Sequence, residues 1–250
     1  MKNKNLQKII FTGLMVAIGI VLSTVVSISY PPNSTIIRFG IGYLPLIIVS
    51  IVLGPKLGLA AAVIQDVLGY FVYIWVFGVP SGPFFPGFTL NSILYGIVPG
   101  IIYNLKIKKD NLFMIINFAF LLILMGLGIW GFFNINMIID IIENRLSAEM
   151  SFQPWIIYAM LIIGEIGIIS TLAFLFKRRK EDDESQRIIF SVIILQFVVT
   201  LLLTPLWVTI LYKIPFAPQL PLRIIKTPIE IFIYSILLIR IIKVFKNYNI

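Results

Sequence analysis

Arg223, Lys226 and Glu230 fall close together in an otherwise apolar stretch. Spacings of three and four put all three on one face of a helix. Two cations so placed can hold an anion, and Lys226 and Glu230, at i and i+4, can also neutralise one another. Arg38 is a third cation flanked by apolar sequence, and Asp66 and Glu165 are acids inside apolar runs. An ionised side chain in lipid is costly, so each should face a cavity or a partner. Asp66 or Glu230 could accept hydrogen bonds from a ring amine, or pair with Lys226 or a neighbouring Asn. The sequence has no His and no Cys. That removes the commonest general base and metal ligand, together with thiolate chemistry and disulfides. No Gly-x-x-x-x-Gly-Lys-Ser/Thr loop is present, so the chain is not expected to hydrolyse ATP. Scattered acids do not make a paired catalytic constellation. The expectation is a protein that is not an enzyme and holds no metal or cofactor.

Aromatic residues accompany the cations. Pro83-Phe84-Phe85-Pro86-Gly87-Phe88-Thr89-Leu90-Asn91 combines three flat side chains with a proline suited to the first turn of a helix. Trp207 and Tyr212 precede Pro215-Phe216-Ala217-Pro218. An interfacial belt accounts for Trp and Tyr. It does not account for clustered Phe or for repeated Pro, which implies shaped loops. Aromatic walls with two or three cations suit a flat heterocycle bearing carboxylates.

These residues must be positioned by helices in a membrane. Of 250 residues, 59% are hydrophobic and 12% charged, about half the charged share of a soluble domain. The fold expected is an all-α, polytopic transmembrane bundle. The first apolar run, from Ile9 to Ile28, follows Lys2, Lys4 and Lys8 and is long enough to span. No cleavage site follows it, so it is read as a retained span. Further spans are read at 38–53, 58–76, 86–105, 112–133, 154–176, 188–211 (interrupted by Pro205) and 222–244, about eight in all. The segment 134–153 has helical spacing at Met137-Ile138 and Ile141-Ile142 and is read as a short surface helix. The whole chain, 1–250, reads as one membrane domain.

Basic residues orient that domain. With the N-terminus inside, the inner segments hold Lys2, Lys4, Lys8, Lys56, Lys106, Lys108, Lys109, Lys177, Arg178, Arg179, Lys180, Arg187, Arg240, Lys243 and Lys246. The outer ones hold Arg38, Arg145, Lys213, Arg223 and Lys226. This is the expected cytoplasmic bias. It places both termini in the cytoplasm and accounts for most of the net charge of +9 without nucleic acid as a partner. Any one outer cation could snorkel to the headgroups. Arg38, Arg223 and Lys226 together, on the face poor in positive charge, point to an anion-binding vestibule.

Small residues mark close approaches at Gly13-x-x-x-Ala17 and Gly54-x-x-x-Gly58-x-x-x-Ala62. Several stretches then resemble a known family. They are Arg38-Phe39-Gly40-Ile41-Gly42-Tyr43-Leu44-Pro45, Leu53-Gly54-Pro55-Lys56-Leu57-Gly58, Asp66-Val67-Leu68-Gly69, Phe84-Phe85-Pro86-Gly87-Phe88-Thr89-Leu90, Leu206-Trp207-Val208-Thr209-Ile210-Leu211-Tyr212 and Leu220-Pro221-Leu222-Arg223-Ile224-Ile225-Lys226. The chain is similar to the substrate-binding S components of energy-coupling-factor (ECF) vitamin transporters, and among them to the folate subfamily.

The resemblance implies a membrane subunit that captures folate outside. A transmembrane coupling subunit and two cytoplasmic ATPases then drive its release inward. It implies substrate-binding roles for Arg38, Asp66, Phe84, Phe88, Asn91, Trp207, Arg223 and Lys226. It also implies docking of the coupling subunit at Gly13 and Ala17. Two features depart from the pattern. S components usually have six spans, so 1–110 is read as core spans one to four, 111–184 as an inserted helix pair and 185–250 as the last two core spans. Glu230 stands where a neutral residue is expected. Alternatives are an S component for a related pterin or another vitamin, a stand-alone carrier, or a membrane scaffold. A carrier should show inverted repeats with broken helices, and none is evident.

Overall fold

The computed structural model describes residues 4–30, 37–78, 82–105, 112–145, 154–177 and 183–247. The basic loops 106–111 and 178–182 and Pro31-Pro32 lie outside the described residues, as do the side chains of Arg38 and Arg145. Ten α-helices carry the described chain: α1 (Lys4–Thr24), α2 (Leu44–Leu53), α3 (Pro55–Phe77), α4 (Pro86–Asn104), α5 (Leu112–Phe133), α6 (Ile135–Arg145), α7 (Pro154–Lys177), α8 (Asp183–Leu195), α9 (Thr204–Tyr212) and α10 (Phe216–Asn247). Two three-residue strands, β1 (Ile28–Tyr30) and β2 (Ile37–Phe39), pair in a sheet. The fold is a polytopic helical bundle. Five helical stretches among the described residues are long and apolar enough to cross a membrane: α1, α3, α5, α7 and the continuous run Asp183–Tyr212. Their outward faces are apolar: Trp75 is 85% exposed and Phe133 81%. Lipid, not water, is the solvent that tolerates such a surface.

The span read at 38–53 needs correction. Its helix starts at Leu44, and Arg38 belongs to strand β2. Gly40 and Gly42 weaken helix propagation between them, while β-branched Ile37 favours extended backbone. The segment 134–153 does contain a short helix, α6, but Ile135 and Ile138 are buried. Ile138 packs near Gly131 of α5, so part of the apolar stripe faces protein.

The chain divides into two compact units. The first comprises Met1–Ile28, Phe39–Lys106 and Leu237–Ile250. Here α3 packs on α4 through glycines: a Cβ at Gly58 would strike the Gly96 carbonyl, and one at Gly96 would strike Gly58 and Ala62. The Gly54-Gly58-Ala62 spacing is thus a helix-packing seam. Gly54, at φ +96°, turns the chain between α2 and α3, and Pro55 opens α3 at a position where its missing N–H costs nothing. Ser50 joins α2 to α4, accepting from the Gly100 N–H at 2.9 Å. Gln65 fills the space at Gly19 and donates to the Gly42 carbonyl at 2.9 Å.

The second unit comprises Ser29–Arg38 and Ile107–Ile236. In it α5 packs against α7 and α8. Buried Asn117 of α5 donates to the Gln186 carbonyl at 3.0 Å. Glycines again admit neighbours, with Gly164 against Pro228 and Gly167 against Phe232. Pro205 does not break its helix. The preceding turns, Gln196–Leu203, widen into a π-helix, where i→i+5 bonding absorbs the missing proline donor. Thr204 follows the same register, its hydroxyl donating to the Val199 carbonyl at 2.7 Å.

The α3–α4 seam predicts opposite effects at two glycines. Gly58→Val forces two backbones apart and should destabilise the protein by about 3 kcal/mol or more. Gly13→Val should leave stability unchanged, because Gly13 is exposed with nothing within 4 Å of its missing Cβ. Thermal unfolding of both variants in detergent checks the contrast.

Candidate functional site

The residues singled out from the sequence fall into both units. In the first, Asp66 projects from α3 toward α4. Its carboxylate accepts from the Thr89 hydroxyl at 2.6 Å and the Ser92 hydroxyl at 3.1 Å. Thr89 and Ser92 lie three residues apart, so one face of α4 serves both oxygens. Pro86 starts α4 and thereby fixes where that face points. Asn91 is buried on α4, while Phe88 is half-buried with its ring edge-on to Phe85 at 5.9 Å. Phe84 is 46% exposed and meets Tyr70 edge-to-face at 5.5 Å. The result is a carboxylate held by two hydroxyls beside a rim of aromatic edges. Asp66 takes hydroxyl donors from α4 and no described cation lies in ion-pair contact with it.

In the second unit the cations of α10 are buried. Arg223 is 3% exposed, Lys226 6% and Glu230 8%. Snorkelling is therefore not what these side chains do. The Lys226 ammonium donates to Glu230 Oε1 at 3.0 Å, so that pair neutralises itself. Among the described residues Arg223 makes no ion pair, and it feels Glu230 only through space. Its Nη2 reaches Gln219 Oε1 at 3.4 Å, and its buried Nε has no hydrogen-bond partner among the described residues. Among the described residues, two cations and one anion leave one positive charge in excess at a site where burial makes it costly. Such a group is poised to meet an anion.

Gln219 was missed in the sequence. It is fully buried, and its amide donates toward the carbonyls of Pro215 (3.1 Å), Ile214 (3.2 Å) and Pro205 (3.4 Å) and to the Thr209 hydroxyl (3.3 Å). It thereby ties α9 to the start of α10 and offers its remaining oxygen to Arg223. Its spacing of four before Arg223 was the available signal. Trp207 is half-buried on α9. Tyr43 and Tyr95, also missed, stack within the first unit at 4.3 Å with rings 4° from parallel. Backbone is all that is described of Arg38, in β2.

Gly13 and Ala17 are both exposed on α1, opposite the face that buries Phe11, Met15 and Gly19. No other residue comes within 4 Å of a Cβ built at Gly13. The pair is consequently not used for packing within its own unit.

Residues 7–163, well over half of the chain, match the family described as "ECF transporter, substrate-specific component". The match runs from α1 through α5 and α6 into α7. The chain is also similar to a folate transporter of Clostridium novyi (strain NT), with 26% identity over 180 residues. That alignment covers 71% of this chain and 98% of the relative, which is the shorter protein.

The Lys226–Glu230 pair makes a specific prediction. Glu230→Ala strands a second buried cation beside Arg223 and should cost about 3–5 kcal/mol. The double variant Lys226→Met/Glu230→Leu removes both charges and should recover most of that loss. Chemical unfolding of the three proteins in mixed micelles measures the difference.

Proposed function

The chain belongs to the substrate-specific components of ECF transporters, and from that premise we propose that it is the folate-binding subunit of an ECF-type importer. The observation that carries this reading is the excess positive charge at Arg223. A dissociable ligand with an anionic group supplies the missing counter-charge, and folate carries carboxylates on its tail. The similar protein from Clostridium novyi is a folate transporter, which agrees with the chemistry.

Roles follow residue by residue. Arg223 is the anchor for a carboxylate through Nε and the fork of its guanidinium, a geometry suited to bidentate contact. Lys226, held by Glu230, contributes a weakened field. Trp207 offers a flat face. Arg38 is assigned to the anion as well. Asp66 supplies acceptor lone pairs for ring amine donors, its two hydroxyl bonds fixing its orientation, and Phe84, Phe88 and Asn91 complete a setting for a heterocycle. A coupling subunit in the membrane and two cytoplasmic ATPases supply the energy. The exposed Gly13 and Ala17 are the proposed docking point, since paired small residues let another helix come close. Both termini lie in the cytoplasm of the cell membrane in this reading, the surrounding lipid being the other constant partner, and the chain binds its vitamin without being an enzyme.

Purified protein is expected to bind folate with no nucleotide present, with a saturable isotherm in a calorimetric titration. Arg223→Ala should weaken that binding roughly tenfold or more, because a buried charge-assisted contact is lost. Failure of the intact protein to bind folate or any close pterin overturns the substrate assignment. Docking is read separately. Gly13→Val should leave folate affinity unchanged yet abolish uptake in cells expressing a coupling subunit and its ATPases.

A further inference from the structure

A cavity of about 180 Å³ lies within the second unit, between α5, α6, α7 and the first half of α10. Its walls are Leu, Ile, Pro, Ala and Gly side chains, with one Trp (Trp130) and one charged residue, Glu165. It contains none of the residues discussed above as binding folate. Apolar cavities of about 150 Å³ hold a benzene-sized guest, so this one has room for a small organic molecule.

Glu165 is the anomaly. It is the twelfth of the 24 residues of α7, which sets it about 16 Å along the helix from its N-terminal end. Among the described residues its carboxylate makes no hydrogen bond or ion pair, in contrast to Asp66 and Glu230. The side chain lies directly over Gly128 of α5, where a Cβ would collide with its oxygen. Gly128 therefore makes room for the acid at the cavity wall.

The rest of the wall adds no cation. Pro221 and Pro228 lie inside α10. A proline deprives the carbonyl four residues earlier of its helical donor, and those residues are Ala217 and Ile224. Both line the cavity. No Lys or Arg is among the lining residues. Trp130 contributes an aromatic face, which attracts a cation.

We propose that this cavity is a binding site for a small lipophilic amine, its ammonium held by Glu165 and its apolar body filling the space against Trp130. The volume is too large and too apolar for a bare metal ion, which requires several oxygen ligands at close range. A free amine is the occupant favoured over a lipid amine headgroup, because Glu165 sits at mid-helix and headgroups lie at the helix ends. The site is independent of the folate reading.

The test uses the full chain in lipid nanodiscs, titrated with n-hexylamine and, in parallel, with 1-hexanol, followed by Trp fluorescence and by calorimetry. Saturable binding of the amine, at least tenfold tighter than that of the alcohol, is the result expected. Glu165→Gln should erase the preference for amine over alcohol. Ala217→Phe keeps the charge and fills the space, and should abolish binding of both. Nanodiscs containing or lacking phosphatidylethanolamine separate the two amine sources. Competition by that lipid against hexylamine would assign the site to a headgroup and overturn the free-amine proposal. Equal binding of amine and alcohol, or an unchanged preference in Glu165→Gln, also overturns it. Should Glu165→Gln fail to fold, retained amine binding by Ala217→Phe overturns the site by itself.

Discussion

Lipid offers no hydrogen bonds, so every polar group placed among the spans must be satisfied by the protein itself or by what the protein binds. The buried polar side chains follow this rule with few exceptions. Asn117 reaches across to α8, Ser50 ties α2 to α4, and Thr200 donates to Gln196 within the π-helical segment. Against that background an incomplete set of bonds carries information. The guanidinium of Arg223 has one long contact to Gln219 and a vacant Nε. A buried arginine without a paired anion is costly.

The local structure around that arginine is made by prolines. Pro205 removes a donor from the helix before it, and the π-helix absorbs the loss by slipping register over Gln196–Leu203. The shift redirects the following turns, where Trp207 and Thr209 sit. The Pro205 carbonyl accepts from the Thr209 hydroxyl at 2.9 Å, and the Gln219 amide of α10 approaches it as well, at 3.4 Å. One glutamine amide therefore serves the end of one helix and the start of the next, and its oxygen is what remains for Arg223. Helix irregularity, loop closure and arginine placement are consequences of the same few residues.

Much of this was legible in the sequence. Apolar length and turn residues located every long helix, and α5 was bounded at Leu112 and Phe133 as it is in the structure. The i, i+4 spacing allowed a Lys226–Glu230 pair, one of the two uses of Glu230 that the sequence left open. What could not be read is the result of tertiary competition. Arg38 was assigned to a helix because its apolar neighbours suit either state, whereas two glycines and pairing with β1 decide for a strand. Burial of Arg223 and Lys226 was equally hidden, since periodicity says which residues share a face and not what covers it. Partners distant in sequence, such as Thr89 and Ser92 for Asp66, become evident only when α3 and α4 close on the Gly58–Gly96 contact.

The acids show how the same residue type takes different roles through its surroundings. Asp66 is held by two hydroxyls, which spread its charge without cancelling it. Glu230 is cancelled outright by an ammonium one turn away on its own helix. Among the described residues Glu165 has neither kind of partner, and it lies at an apolar wall. An acid that cost stability and did nothing would be easy to replace with Gln or Leu at that position, with no backbone consequence. The glycine opposite argues the other way. Gly128 forgoes helix propensity inside α5, about 1 kcal/mol relative to Ala, and the space it frees is the space the carboxylate uses. Two residues on separate helices, each unfavourable alone, make sense as one feature: an acceptor kept open at the edge of a cavity that can hold a cation.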